Sequence, residues 1–284
     1  MTLFTAPVTP GRTAFAMVAT SLAFTVPGCT ALDPLTFLVR EQGPEYAIDP
    51  ADPFGDSPAA DYPLAAEAIS RGPVDAVLHG VEQSRVDAAL TATEELLTAV
   101  YLTPEAVFDG DNSAFQEILE PELLSWFEDG LDAEGENSTR AVVLNLAPGS
   151  AELIGTQVRA LGETTVRKSD SRVDDLIEVA VRYNFVYPIA KPDESASTRL
   201  VIGAEGTFVF SVDPVAEPDV RLRTFSLANS ATPVHCDLDD DSYLVPLFPT
   251  DLKTDGPGRG GAVVDPYDLG SEFPQGECSV AYPT

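Results

Sequence analysis

The chain has 284 residues, 46 acidic against 16 basic, and a formal net charge of −30. That length supports one sizeable domain with tails. That charge repels phosphate backbones and anionic headgroups and so excludes nucleic acid as a partner, while leaving cations and basic proteins open.

In chain order, residues 1–13 carry one cationic side chain, Arg12, and no acid, and residues 14–26, "AFAMVATSLAFTV", carry no charge. The run is too short for a membrane-spanning helix, which needs about 20 apolar residues. It has the length and flanks of a secretory h-region. It ends in Val26-Pro27-Gly28-Cys29, which resembles the lipobox of bacterial lipoproteins. The resemblance implies a signal peptide over 1–28, lipid on the Cys29 thiol, and a place on the extracytoplasmic face of the cell membrane. An ordinary secreted protein is the alternative. Two acyl chains at about 0.8 kcal/mol per buried methylene suffice for stable anchoring. Three cysteines are an odd count for an exported chain. Lipid on Cys29 leaves Cys236 and Cys278 as a pair for a disulfide, worth about 4 kcal/mol in the chain-entropy model. Two free thiols or a metal pair are the alternatives, and the spacing fits no zinc pattern.

Residues 30–82 hold seven prolines and ten acids against Arg40 and Arg71, with no helical or strand period. They read, with Cys29, as an acidic tether over 29–82. An α+β domain is expected over 83–232, followed by a C-terminal extension over 233–284. "SRVD" at 84–87 opens like a capping box, and Val86, Leu90, Thr93, Leu97 and Val100 repeat at helical spacing until Pro104. "SAFQ" at 113–116 starts a second helix, and "PELLSWFED" from Pro121 a third, closed by Gly130. Leu123, Leu124, Trp126 and Phe127 are too apolar for a free surface and should pack on a sheet. "AVVLNL" is a candidate short strand.

Ile154, Thr156, Val158 and Ala160 alternate in the next segment. Ile177, Val179, Val181, Tyr183, Phe185 and Tyr187 then alternate with Glu178, Ala180, Arg182 and Asn184, a period of two. "TRLVIGAEGTFVFSV" at 198–212 should pair with that strand as a long hairpin, and "DVRLRTFSLAN" at 219–229 should follow. Helices first and antiparallel strands after give an α+β fold with helices on one face. The Ile177–Tyr187 face should meet the helices, leaving Glu178 and Arg182 as neighbours on the solvent side.

This order resembles the nuclear-transport-factor-2-like family, over about 84–231, which implies a curved antiparallel sheet wrapped as a cone around N-terminal helices. A second resemblance, carried by the lipobox, the acidic linker, "VRYNFVY" and "CDLDDDSYLVPLFP", is to secreted lipoproteins of actinobacteria. It implies address and architecture and brings no activity with it. The cone-shaped family hosts isomerases and dehydratases with an acid or base and tyrosines in the cavity. Glu178, Arg182, Asn184, Tyr183 and Tyr187 are the candidates here, but they divide between two faces of one strand.

His79 and His235 stand far apart in sequence, and no nucleophile elbow, phosphate loop or dinucleotide fingerprint is present. Asp237, Asp239 and Asp241 alternate as in the opening of a calcium loop, yet Ser242 stands where glycine and Phe248 where glutamate is needed. A solvated acidic turn is therefore favoured over a weak metal site. The expectation is a non-enzymatic, lipid-anchored protein that uses no cofactor and binds an unidentified protein or small ligand. The alternatives are a small-molecule enzyme of isomerase or dehydratase type and a weak calcium module.

Overall fold

The computed structural model describes residues 47–70, 78–133, 138–169, 176–212, 220–235, 243–251 and 265–270. The segment 1–28, Cys29, Cys236, Cys278 and the aspartates 237, 239 and 241 lie outside the described residues.

Among the described residues five helices precede the sheet: α1 (Ala65–Ser70), α2 (Gln83–Tyr101), α3 (Pro104–Asp109), α4 (Ser113–Gln116) and α5 (Pro121–Gly130). In α2, Val86, Ala89, Thr93, Leu96, Leu97 and Val100 are buried, the stripe that helical periodicity dictates. The expected capping box is not formed. The helix starts one residue earlier, its N-cap is Glu82, and no side chain bonds the first amides. Pro104 starts a short helix instead of only ending one, because a ring that lacks an N–H sits without loss at a first-turn position. Gly110 closes α3 at φ 71°, in the left-handed region.

A five-stranded antiparallel sheet follows, built from β1 (Glu152–Leu153), β2 (Arg159–Lys168), β3 (Leu176–Ala190), β4 (Ser197–Val212) and β5 (Val220–Thr232). β1 and β2 both lie along one edge of β3, and β4 and β5 extend the sheet on the other side. The continuous alternation expected from Ile154 is broken: Gly155 takes φ 78°, and pairing resumes at Arg159. The β3–β4 hairpin pairs from Leu176↔Ser211 to Ala190↔Ser197, as the sequence foretold. "AVVLNL" is not a strand of the sheet. Thr139–Val142 is a 3-10 turn, and beyond it Leu146 makes only an isolated parallel bridge to Leu244.

The core lies between the helices and one face of the sheet. Ile177, Val179, Val181, Tyr183, Phe185, Tyr187 and Ile189 are all buried and meet Leu97, Tyr101, Phe115 and Phe127 in one cluster. The tether boundary at 82/83 is overturned for residues 47–70. Ile48, Phe54, Ala59, Ala65 and Ile69 are buried, and Ala65 N–H donates to the Val158 carbonyl at 2.9 Å. The segment has no period because it is held by scattered anchors rather than by a repeating face. From the C-terminal extension, Phe248 enters the main core.

Candidate functional site

Pairing in register stacks the side chains of the sheet's outer face into rows that cross the strands. One row is Thr165–Ala180–Thr207–Ser226, and the next is Glu163–Arg182–Glu205–Ala228. Together they line a trough of about 430 Å³. Ala180 and Ala228 keep its floor low, and hydroxyls and one Glu–Arg–Glu row form its polar surface. A side chain at Gly206 would meet Leu227 and the Ser226 carbonyl. Arg182 Nε lies 3.9 Å from Glu205 Oε2, with both side chains partly exposed.

The trough ends where the outer face becomes covered. Phe54 and Ala59 pack on Val186 and Val201, joined by Tyr62 and Tyr267. Arg199 donates to the carbonyls of Pro53 (3.0 Å) and Gly55 (2.5 Å), and Asn184 Nδ2 to that of Pro266 (3.0 Å). Arg159 donates to the carbonyls of Ala59, Ala60 and Tyr62, and its guanidinium lies 4.8 Å from the Phe54 ring centre. Two segments remote in sequence, 53–62 and 265–268, thus form one cover. Burial first, then Tyr267 and Asp265, push the Tyr62 phenol up to about 12.

The residues proposed for a cavity are not brought together. Glu178 accepts from Arg167 Nε at 2.8 Å. Glu178 and Arg182 are therefore not partners. Residues four apart on a strand stand about 13 Å apart, whereas partners on adjacent strands stand about 5 Å apart. Asn184 is buried under the cover. On the opposite face the Tyr183 hydroxyl lies 2.8 Å from Thr164 Oγ1 and donates weakly to the Ala68 carbonyl at 3.4 Å. Burial raises its pKa, with the Thr164 hydrogen bond partly opposing. Tyr187 donates to the Tyr101 carbonyl at 2.7 Å, and Tyr101 to Asn229 Oδ1 at 2.5 Å. Both phenols are raised well above the ordinary range by burial. Tyr101 stacks on Phe185 at 4.4 Å, so these aromatic rings occupy the space between sheet and helices.

His79 is exposed, and His235 lies beside Asp251, with Nε2 to Oδ2 at 3.7 Å. Asp251 also binds Lys191 Nζ at 2.7 Å and accepts from the Phe248 amide at 2.9 Å. Burial pushes the Asp251 carboxyl up, but the Lys191 hydrogen bond, then the Phe248 amide and the Lys191 and His235 charges, hold it below the usual range. Among the described residues, no three His, Cys, Asp or Glu side chains gather to hold a metal, and no helix is long and apolar enough to cross a membrane. Comparison with protein-family models, with curated proteins and with solved structures finds no match.

The trough is not legible in any single strand, because each strand contributes only two or three of its residues. The signal was present as small and hydroxyl residues at the outward positions of four successive strands, legible only once their register is known.

Proposed function

We propose that the protein is a non-enzymatic binding protein, held by lipid on Cys29 at the extracytoplasmic face of the cell membrane, with a nuclear-transport-factor-2-like arrangement of helices and sheet. Its ligand is an unidentified protein segment or small molecule, received on the outer face of the sheet. The observation that carries this reading is the polar trough across β2–β5, open where the helix-facing side is filled by Tyr101, Tyr183, Phe185 and Tyr187. A volume of about 430 Å³ lies within the range of small-ligand sites. The apolar run followed by Val26-Pro27-Gly28-Cys29 supports the anchor.

Two measurements test the reading separately. Labelling with a radioactive fatty acid should mark the wild type and not Cys29→Ala; label in both, or in neither, removes the anchor. A screen of small molecules and peptides by thermal shift should yield ligands that lose their effect in Ala180→Trp, which fills the trough. Ligands that stabilise that variant as well as the wild type would place binding elsewhere.

A further inference from the structure

β5 is an edge strand. It pairs with β4 from Val220 to Thr232, and among the described residues no strand pairs with its other side. Such an edge presents a row of backbone donors and acceptors ready to receive another strand. Its composition sets it apart from the rest of the sheet. β1 carries Glu152, β2 Glu163, β3 Glu178 and β4 Glu205, whereas β5, "VRLRTFSLANSAT", contains no acid and two arginines.

Those arginines are unusual within this chain. Arg85, Arg167, Arg182 and Lys191 each lie against a carboxylate, and Arg140, Arg159 and Arg199 donate to backbone carbonyls. Arg221 and Arg223 are exposed and make no such contact among the described residues. In a chain with 46 acids, two arginines left open side by side leave an anion-seeking spot on the edge. Leu222 between them is buried on the helix-facing side, which puts Arg221 on the outer face, while Arg223 is the extra residue of a bulge opposite Val209 and Phe210 and is exposed at the strand edge.

On the helix-facing flank of the same strand stands Trp126. It is 46% exposed and meets Phe225 edge to face at 5.8 Å between ring centres. A half-exposed tryptophan beside an open strand edge is the kind of group that anchors an interface.

We infer that the free edge of β5 docks, by strand addition, an extended segment of a partner protein in which acidic and apolar residues alternate. An added strand lies about 4.8 Å beyond β5 and turns successive side chains to opposite faces. One set meets Arg221, with Arg223 beside it at the bulge, and the other meets Trp126. The net charge of −30 does not forbid an acidic partner, because charges more than about 8 Å away are screened at physiological salt while the two arginines are in contact. This edge adjoins the trough, whose lining includes Ser226 and Ala228 of β5, but Arg221 and Arg223 lie outside that lining, so the charge variant tests the edge independently of the trough.

The test uses the full chain and a seven-residue peptide of alternating Glu and Val, followed by the fluorescence of Trp126, the sole tryptophan. A saturable change is expected, weakened about tenfold in Arg221→Glu/Arg223→Glu and by raised salt. Should that variant not fold, Arg221→Gln/Arg223→Gln serves, with a smaller loss. The same peptide N-methylated on alternate amides should not bind. Equal binding of a Lys-Val peptide, wild-type affinity in the charge variant, or no response at millimolar peptide overturns the acidic partner. Undiminished binding of the methylated peptide overturns strand addition. Self-association of the chain abolished by Arg221→Glu would assign the edge to a second copy and overturn the proposal as well.

Discussion

Along β3, Ile177, Val179, Val181, Tyr183, Phe185, Tyr187 and Ile189 face the helices and are buried from one end of the strand to the other. On the opposite side Glu178, Ala180 and Arg182 remain partly open, and full burial begins at Asn184. The first face is apolar along its whole length and needs only the helices to cover it. The second changes character midway, because segments 53–62 and 265–268 lie over one half and leave the trough in the other. The alternation of a strand says which residues share a face. It does not say how far along that face a cover extends.

Substitutions that separate the two sides should differ in size and reach. Phe185→Ala removes a fully buried ring stacked between Tyr101 and Tyr183, and should cost about 3–5 kcal/mol of global stability in urea unfolding. A loss below 1 kcal/mol would mean that the helix-facing side is loosely packed. Phe54→Ala empties the smaller cluster on the outer side and should cost about 2 kcal/mol, since the segment can open locally. Hydrogen exchange should then show residues 47–62 deprotected while β3 and β4 stay protected. Loss of protection throughout would make the cover integral to the fold rather than an attachment.

Alkali should reach the outer contacts first. The Tyr62 phenol is raised from 10.0 to about 12, so the neutral form is the one the folded state favours. Its contribution is intact below pH 10 and is lost as pH rises through 12. Protection of residues 47–62 should fall across that window and fall less in Tyr62→Phe, while Tyr101, held higher still by burial, keeps the helix side closed. Equal alkaline sensitivity in the variant would remove Tyr62 as the cause. The smallest effect is expected at Glu205→Gln, because Arg182 and Glu205 form a long, partly exposed pair worth about 0.5 kcal/mol or less. A larger change in the urea midpoint would show that the Glu163–Arg182–Glu205 row holds the sheet together rather than standing free for a ligand.

Several of these features could be read before any fold was known. Val86 to Val100 in α2 and Ile177 to Tyr187 in β3 repeat over enough residues for periodicity to outweigh local ambiguity, and the hairpin to β4 follows from the turn formers between them. Residues 47–70 were illegible for the opposite reason: Phe54 and Ala59 are single anchors among prolines and acids, and their partners Val186 and Val201 lie over 100 residues away. The break at Gly155 escaped the reading because the alternation of Ile154 to Ala160 runs straight through it, although the backbone does not.

The sequence by itself determined the acidity, the lipobox-like run ending at Cys29, the helical stripe of α2 and the buried face of β3, since each is a property of neighbouring residues. Only the tertiary structure decided that Thr165, Ala180, Thr207 and Ser226 form one row, that Glu178 meets Arg167 instead of Arg182, and that half of the outer face is covered. Cross-strand register and the docking of distant segments are set by long-range contacts, which no local pattern encodes.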